Sequence, residues 1–308
     1  MSIRVIAALA FVLAPPDSPA REQALPASAV QAAQVTDKPS WPAKSLLDTG
    51  LYIDGSAKKI QPDNLALTPQ YPLWSDGADK SWLYASYIWN EAQTDAVLAP
   101  AEGAVLNDSP VPGGRYEVRS RSDCRACHDG AAVPVLGASA VQLARVPDAV
   151  RANDEVGVQA LIARGQLRNF PLSWSREVPA IAASSETERQ ALGYLHGNCG
   201  HCHNVDGSPA AVELVLAQSA AAPDSSGARV LRSAVNARSR FRPNGMPAEP
   251  LVIAPGRPEA SVIERRMQSR QPLVQMPPLS TSIPDADAVA LIRRWIASDL
   301  SDYKESLP

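Results

Sequence analysis

The sequence predicts a mainly helical protein with a smaller, irregular strand-and-turn part on its N-terminal side. Three observations carry that prediction. Ser185 and Glu188 form a capping pattern that opens a helix through Leu195. Pro284 and Asp285 open a second helix, whose Ala288, Leu291, Ile292, Trp295 and Ile296 fall at the spacing of one buried face. Asp285 and Asp287 at its start and Arg293 and Arg294 near its end complement the helix dipole. In contrast, the stretch from Trp41 to Trp89 has few helix formers and holds more than half of all Trp and Tyr. Tyr52, Tyr71, Trp74, Trp82, Tyr84, Tyr87 and Trp89, with Pro72 and Asp76-Gly77 between them, read as short strands and turns around an aromatic mini-core.

At 308 residues the chain can hold two modest domains. Its net charge of −3, with acids and bases nearly balanced, excludes the basic footprint of a nucleic-acid binder. Residues 1–20 read as an export signal: Arg4, an apolar run from Val5 to Ala14, and the small residues Ser18-Pro19-Ala20. That run is too short to span a bilayer, no other stretch is long enough to anchor the chain, and no stable membrane insertion is expected. A mature protein starting near Arg21 follows, with 21–40 as a flexible linker rich in Ala, Ser and Gln. Residues 41–107 form the aromatic-rich β/turn segment. In 108–183, Asn107 to Gly114 is rich in turn formers and Arg115 to Ser122 alternates like a strand. Val146 to Gln166 reads as one or two short helices, and Phe170 to Pro179 as loop. The last region, 184–303, contains the two capped helices and a helical-looking stretch from Val262 to Gln268.

All four cysteines lie in two copies of one pattern, each closed by a histidine: Cys124-Arg125-Ala126-Cys127-His128 and Cys199-Gly200-His201-Cys202-His203. C-x-x-C-H is the attachment signature of c-type haem. The two thiols add to the porphyrin vinyl groups and the adjacent imidazole ligates the iron. Side chains three and four apart on a helical turn point the same way, so one turn can present all three groups to one edge of the macrocycle. The residues therefore predict two covalent haem c groups, with thioethers from Cys124, Cys127, Cys199 and Cys202 and proximal iron ligands from His128 and His203. Two buried porphyrins would also supply apolar area in a chain with only three Phe. A four-cysteine zinc site is the competing structural reading. Zinc does not require a histidine after the second cysteine of each pair, whereas haem does. A dithiol redox motif would need one pair and no trailing histidine.

A six-coordinate electron carrier also needs a distal ligand, usually Met or His. For the second haem the candidate is Met276, in Gln275-Met276-Pro277-Pro278-Leu279, where the proline pair favours an extended loop. For the first haem, no Met occurs between His128 and Asn244. Met246, followed by Pro247, and His196, three residues before Cys199, are the candidates beside an open or solvent-ligated iron. Met267 is expected in the core and His201 at a haem rim. Arg115, Arg119, Arg121 and Arg125 crowd the first motif and have three readings: propionate partners, a docking face, or a solvated strand face.

A helix feeding C-x-x-C-H, and a C-terminal helix packing across it, resemble the frame of a class I cytochrome c domain. More of the chain resembles a group of bacterial exported dihaem c-type cytochromes. The matching residues are Tyr71-Pro72-Leu73-Trp74-Ser75-Asp76-Gly77-Ala78-Asp79-Lys80, Tyr87 to Ala96, Ser120 to Cys124, Ala191 to Cys199, and Val274 to Leu279. The resemblance covers roughly residues 45 to 300. It departs from the group between Lys80 and Tyr87, where only Ser81 to Ser86 stand in place of a longer strand-like stretch. The resemblance implies electron transfer in the periplasm with redox proteins, a dehydrogenase among the candidate partners. The runner-up is a dihaem peroxidase-type enzyme with an open distal site at the first haem. The motif separation is shorter than in that family, and no distal Glu context stands out. Gas sensing would need a signalling module, and a Cys-ligated dihaem thiosulfate dehydrogenase would need a spare cysteine.

Overall fold

The computed structural model describes residues 63–69, 82–90, 95–107, 113–130, 136, 139–144, 158–163, 167, 170–178, 180–205, 212–242, 244–279 and 281–303. The expected export signal (1–20), the linker (21–40), the motif from Tyr71 to Lys80 and most of the stretch from Val146 to Gln166 lie outside them. The chain divides into two compact units, Met1–Arg125 and Ala126–Pro308.

The first unit is built from short antiparallel strands. β1 (Asp63–Pro69), β2 (Trp82–Trp89) and β3 (Ala96–Leu98) form one sheet, with Asp63 opposite Ile88 and Trp89 opposite Ala96. Ala85, Tyr87 and Trp89 recur every second residue along β2, so one face of the strand collects them. They are buried together with Ala96, and Leu98 packs against them; of the expected aromatic mini-core, Tyr52, Tyr71 and Trp74 lie outside the described residues. β4 (Ala104–Leu106) pairs with β5 (Tyr116–Val118) as a separate two-stranded ribbon. Gly103, at φ +85°, brings the chain into β4, and a Cβ there would lie 2.5 Å from the Val118 carbonyl. Only glycine fits both the backbone angle and the space.

The strand expected over Arg115 to Ser122 is shorter than its alternation suggests. It stops at Val118 because Ser120 starts a helix. The Ser120 hydroxyl accepts the Asp123 N–H at 3.1 Å, and the Asp123 carboxylate accepts the Ser120 N–H at 3.1 Å. This reciprocal cap opens α1 (Arg121–His128), which carries the whole first C-x-x-C-H motif across the boundary between the units.

The second unit is helical. Ser139 and Gln142 form a capping box on the short α2 (Ala140–Leu143), followed by α3 (Val158–Ala163) and a single 3-10 turn at Leu172–Ser175. Ser185 caps α4 (Glu186–Asn198) by accepting the Glu188 N–H at 2.9 Å. α5 (Pro223–Ala234) was not legible in advance, because Ser225, Ser226 and Gly227 dilute its helical signal; Pro223 in its first turn and Asp224 do mark its start. α6 (Val262–Gln268) occupies the stretch read as helical. Asp285 caps α7 (Ala286–Arg294), which continues into one π-helical turn at Trp295–Asp299.

The main core lies between α4 and the C-terminal helix. Ala191, Leu192 and Leu195 meet Ala288, Ile292, Trp295 and Ile296, with Val230 and Ala234 from α5, Ile253 and Met267 closing it. A smaller cluster, Val158, Val178 and Ala220, adjoins it through Val141, which packs against both. Burying one leucine-sized side chain contributes about 1.5–3 kcal/mol, so this α4–α7 seam dominates the stability of the unit. Glu264 on α6 is buried and accepts from Arg293 on α7 and from Gln268, 2.6 Å away, which fastens α6 to α7.

Candidate functional site

The two C-x-x-C-H motifs occupy helical turns of different kinds. The first lies wholly within α1, so Cys124, Cys127 and His128 are presented from consecutive residues of one helix. Cys124 and His128 are buried. The second begins where α4 ends. Cys199 is the C-cap of α4, its N–H reaching the Leu195 carbonyl at 2.9 Å, and the chain turns so that Cys202 and His203 both donate to the Cys199 carbonyl, at 3.0 and 2.8 Å. No disulfide joins any of the four cysteines.

Gly200 makes this turn possible. A Cβ at that position would sit 2.7 Å from the His196 carbonyl and 3.0 Å from the Ala217 Cα. The equivalent positions of the first motif, Arg125 and Ala126, are exposed.

The second motif packs against the exit of the first. The Cys202 thiol and His201 donate hydrogen bonds to Cys127, which lowers the Cys127 thiol below its ordinary value, helped by the nearby imidazoles of His201 and His128. Cys202 is raised in return, by that same hydrogen bond, by burial and by the neighbouring sulfurs. Cys199 is pushed up to about 12 by burial. The Asn204 side-chain amide spans the same junction, donating to the Gly130 carbonyl at 2.6 Å, the His201 carbonyl at 2.9 Å and the Gly200 carbonyl at 3.1 Å. Neither Asn204 nor the contact made by His201 carries a signal in the sequence, because both depend on which turns the fold brings together.

His203 is buried, and its Nδ1 has no hydrogen-bond partner among the described residues. Burial, and then the charge of Arg266, hold its pKa below the ordinary histidine range. A buried imidazole that favours its neutral form and keeps one ring nitrogen unclaimed suits an iron ligand. The donor set of each motif, two thiols and an adjacent imidazole on one turn, fits covalent haem. Cys124, Cys127 and His128 would hold one group, and Cys199, Cys202 and His203 the other. Among the described residues no group of three or more His, Cys, Asp or Glu is arranged to hold a metal ion.

The candidate distal residues fare differently. Met276 is half-buried in the loop between α6 and α7, and its N–H donates to the Arg266 carbonyl at 3.0 Å. The Arg266 guanidinium holds the same loop, donating from Nε to the Val274 carbonyl at 2.8 Å, and lies over the Phe241 ring 4.4 Å from its centroid. Met246 is half-buried in the loop between α5 and α6. His196 is committed at both nitrogens: Nδ1 accepts the Gln218 N–H at 3.0 Å, which leaves Nε2 to donate to the Ser139 hydroxyl at 2.9 Å. As a tie between α4, the α2 cap and the loop at Gln218, it would have to break a hydrogen bond to ligate iron. Met267 is buried in the main core. Of the four arginines near the first motif, Arg115 and Arg119 pair with Glu117, Arg119 at 3.1 Å.

Comparison of the chain with family models, with curated proteins and with solved structures finds no match.

Proposed function

We propose that this chain is an exported dihaem c-type cytochrome that carries electrons between periplasmic redox partners. The single observation behind this reading is the pairing of two complete C-x-x-C-H turns with a buried imidazole in each, one of which, His203, keeps an unclaimed buried nitrogen. Covalent haem supplies one-electron chemistry at a potential tuned by axial ligand and burial. The protein's share is to hold and orient. α1 and the α4 terminus fix the sulfurs, and Arg266 holds the Met276 loop. No helix among the described residues is long and apolar enough to cross a membrane. The export signal, the periplasmic location, the class I cytochrome c character of residues 184–303 and the resemblance to dihaem cytochromes belong to the same proposal, with a dehydrogenase among the candidate donors.

The deciding experiment is a haem count on protein matured in a host that attaches c-type haem. Two haems per chain that stay with the polypeptide in acidified organic solvent support the reading. A colourless chain, a zinc-loaded chain or extractable pigment refutes it. Met276→Ala is expected to turn the second haem high-spin, and an unchanged spectrum removes Met276 as its ligand.

The commitment of His196 to Gln218 and Ser139 favours one second reading, because it removes a candidate ligand from the first haem. Met246 then holds that position, or it stays open as in a peroxidase-type enzyme. A high-spin shift in Met246→Ala assigns the ligand, whereas rapid peroxide turnover by the reduced protein establishes the enzyme.

A further inference from the structure

We propose that, before haem is attached, this chain closes a disulfide between Cys127 and Cys202, one cysteine from each C-x-x-C-H motif. The bond itself needs no haem. Its consequence rests on the dihaem reading: each haem takes two sulfurs, so this one disulfide withdraws a sulfur from both attachment sites at once.

The Cys127 and Cys202 thiols share a hydrogen bond, and His201 meets the same Cys127 sulfur. All three residues lie in the second unit. Separate contacts hold the turns that carry them. The Asn204 side-chain amide donates to the Gly130 carbonyl at 2.6 Å and to the Gly200 carbonyl at 3.1 Å, so the chain just past Cys127 is tied to the turn around Cys202. Both cysteines are half-buried and within reach of a dissolved oxidant, whereas Cys124 is buried.

Pairing inside a motif is harder. Cys124 and Cys127 stand three apart on α1, where Cβ atoms lie about 5–6 Å from each other. A disulfide needs about 3.5–4.5 Å. The Cys202 N–H donates to the Cys199 carbonyl at 3.0 Å, which holds those two in a helix-like turn as well. Cys127 and Cys202 sit on different segments, and only their sulfurs have to close in. The step is thiol–disulfide exchange with a small disulfide such as oxidised glutathione. One protein thiol gives up its proton and attacks a sulfur of the oxidant, expelling the first glutathione thiol. The other gives up its proton and displaces the second. The two cysteines lose two electrons, and one glutathione disulfide becomes two thiols.

The full chain, made without haem and kept reduced, is equilibrated in oxidised and reduced glutathione. Free thiols are then alkylated, and the chain is cut with trypsin without reduction. Cleavage after Arg125 parts Cys124 from Cys127, so each pairing has its own mass. The expected product joins the Cys127 peptide to the peptide holding Cys199 and Cys202, with Cys124 alkylated, and this preference is lost when the chain is oxidised in urea. Cys199→Ser, which leaves Cys202 as the one cysteine on its peptide, keeps the cross-link. Disulfides within the motifs, a main cross-link through Cys124, no disulfide at all, the same pairings in urea, or loss of the cross-link in Cys199→Ser overturns the proposal. A chain that forms the Cys127–Cys202 bond yet takes up no haem when matured refutes the dihaem reading and leaves the disulfide standing.

Discussion

Leu195→Ala tests whether the α4–α7 seam holds the unit that carries the second motif. Leu195 is fully buried, one turn before Cys199, in the core shared with Ile292, Trp295 and Ile296. Its backbone carbonyl accepts the N–H groups of Cys199 and Gly200, both at 2.9 Å, and the substitution leaves those bonds in place. The loss is therefore one of packing alone. Leucine-to-alanine changes at well-packed sites cost about 2–5 kcal/mol, and a site closed by a tryptophan and two isoleucines collapses poorly, so about 3 kcal/mol is expected. For a domain of this size each kcal/mol lowers the melting temperature by about 2–4 °C, which gives a fall of about 6–12 °C. Thermal and urea unfolding, followed by far-ultraviolet circular dichroism, measure it. Gln190→Ala, exposed on the same helix, serves as the control and stays within about 0.5 kcal/mol. A Leu195→Ala melting temperature within about 2 °C of wild type, at an unchanged urea m-value, would show that the seam does not carry the stability assigned to it.

Two titrations follow from the same helix. Burial first, and then the charge of Asp285, raise Tyr194 to about 12. A tyrosine in the unfolded chain ionises near 10, so the stability this group contributes is complete below pH 10 and is lost as pH rises towards 12. One tyrosinate step near pH 12, absent in Tyr194→Phe, is the expected ultraviolet titration; a full set of ordinary tyrosines counts against it. His196 is held below its ordinary value by burial first and by His201 second. Its neutral form belongs to the fold, so its contribution is present above about pH 6.5 and declines as acid is added below that. His196→Gln should flatten the loss of melting temperature between pH 6.5 and 5, and an unchanged acid slope would discard the idea. Ser185→Ala removes the hydroxyl that accepts from Glu188 and donates to Asp299, with an expected loss of about 1–2 kcal/mol in urea unfolding; no loss would show that the cap is dispensable.

What could be foreseen was local. Ser185 and Asp285 cap the helices they were expected to cap, because capping is a matter of three or four neighbouring residues. Of the expected stripe, Ala288, Ile292, Trp295 and Ile296 are buried as one face and Leu291 is half-buried at its edge, because helical periodicity writes the face directly into the sequence. The first motif was expected on a helical turn, but the start of its helix at Arg121 was read as strand. The alternation from Arg115 to Ser122 outweighed the cap formed by Ser120 and Asp123, and the strand ends at Val118. The roles of Asn204 and His196 were not legible for a different reason. Each acts on a backbone group or side chain set by tertiary packing: Gly130 for one, Ser139 and Gln218 for the other. Sequence order could place His196 near a porphyrin but could not show that its nitrogens are already taken.

The tightness at Gly200 separates the two motifs in evolutionary terms. Residues between the cysteines of a haem motif are usually regarded as interchangeable, since the cofactor touches only the sulfurs and the imidazole. In the second turn that freedom is gone at its first variable position, where the backbone of His196 and Ala217 leaves no volume for any side chain. Arg125 and Ala126, facing outward, remain open to drift. Related chains should therefore vary at those two places while retaining glycine after the third cysteine.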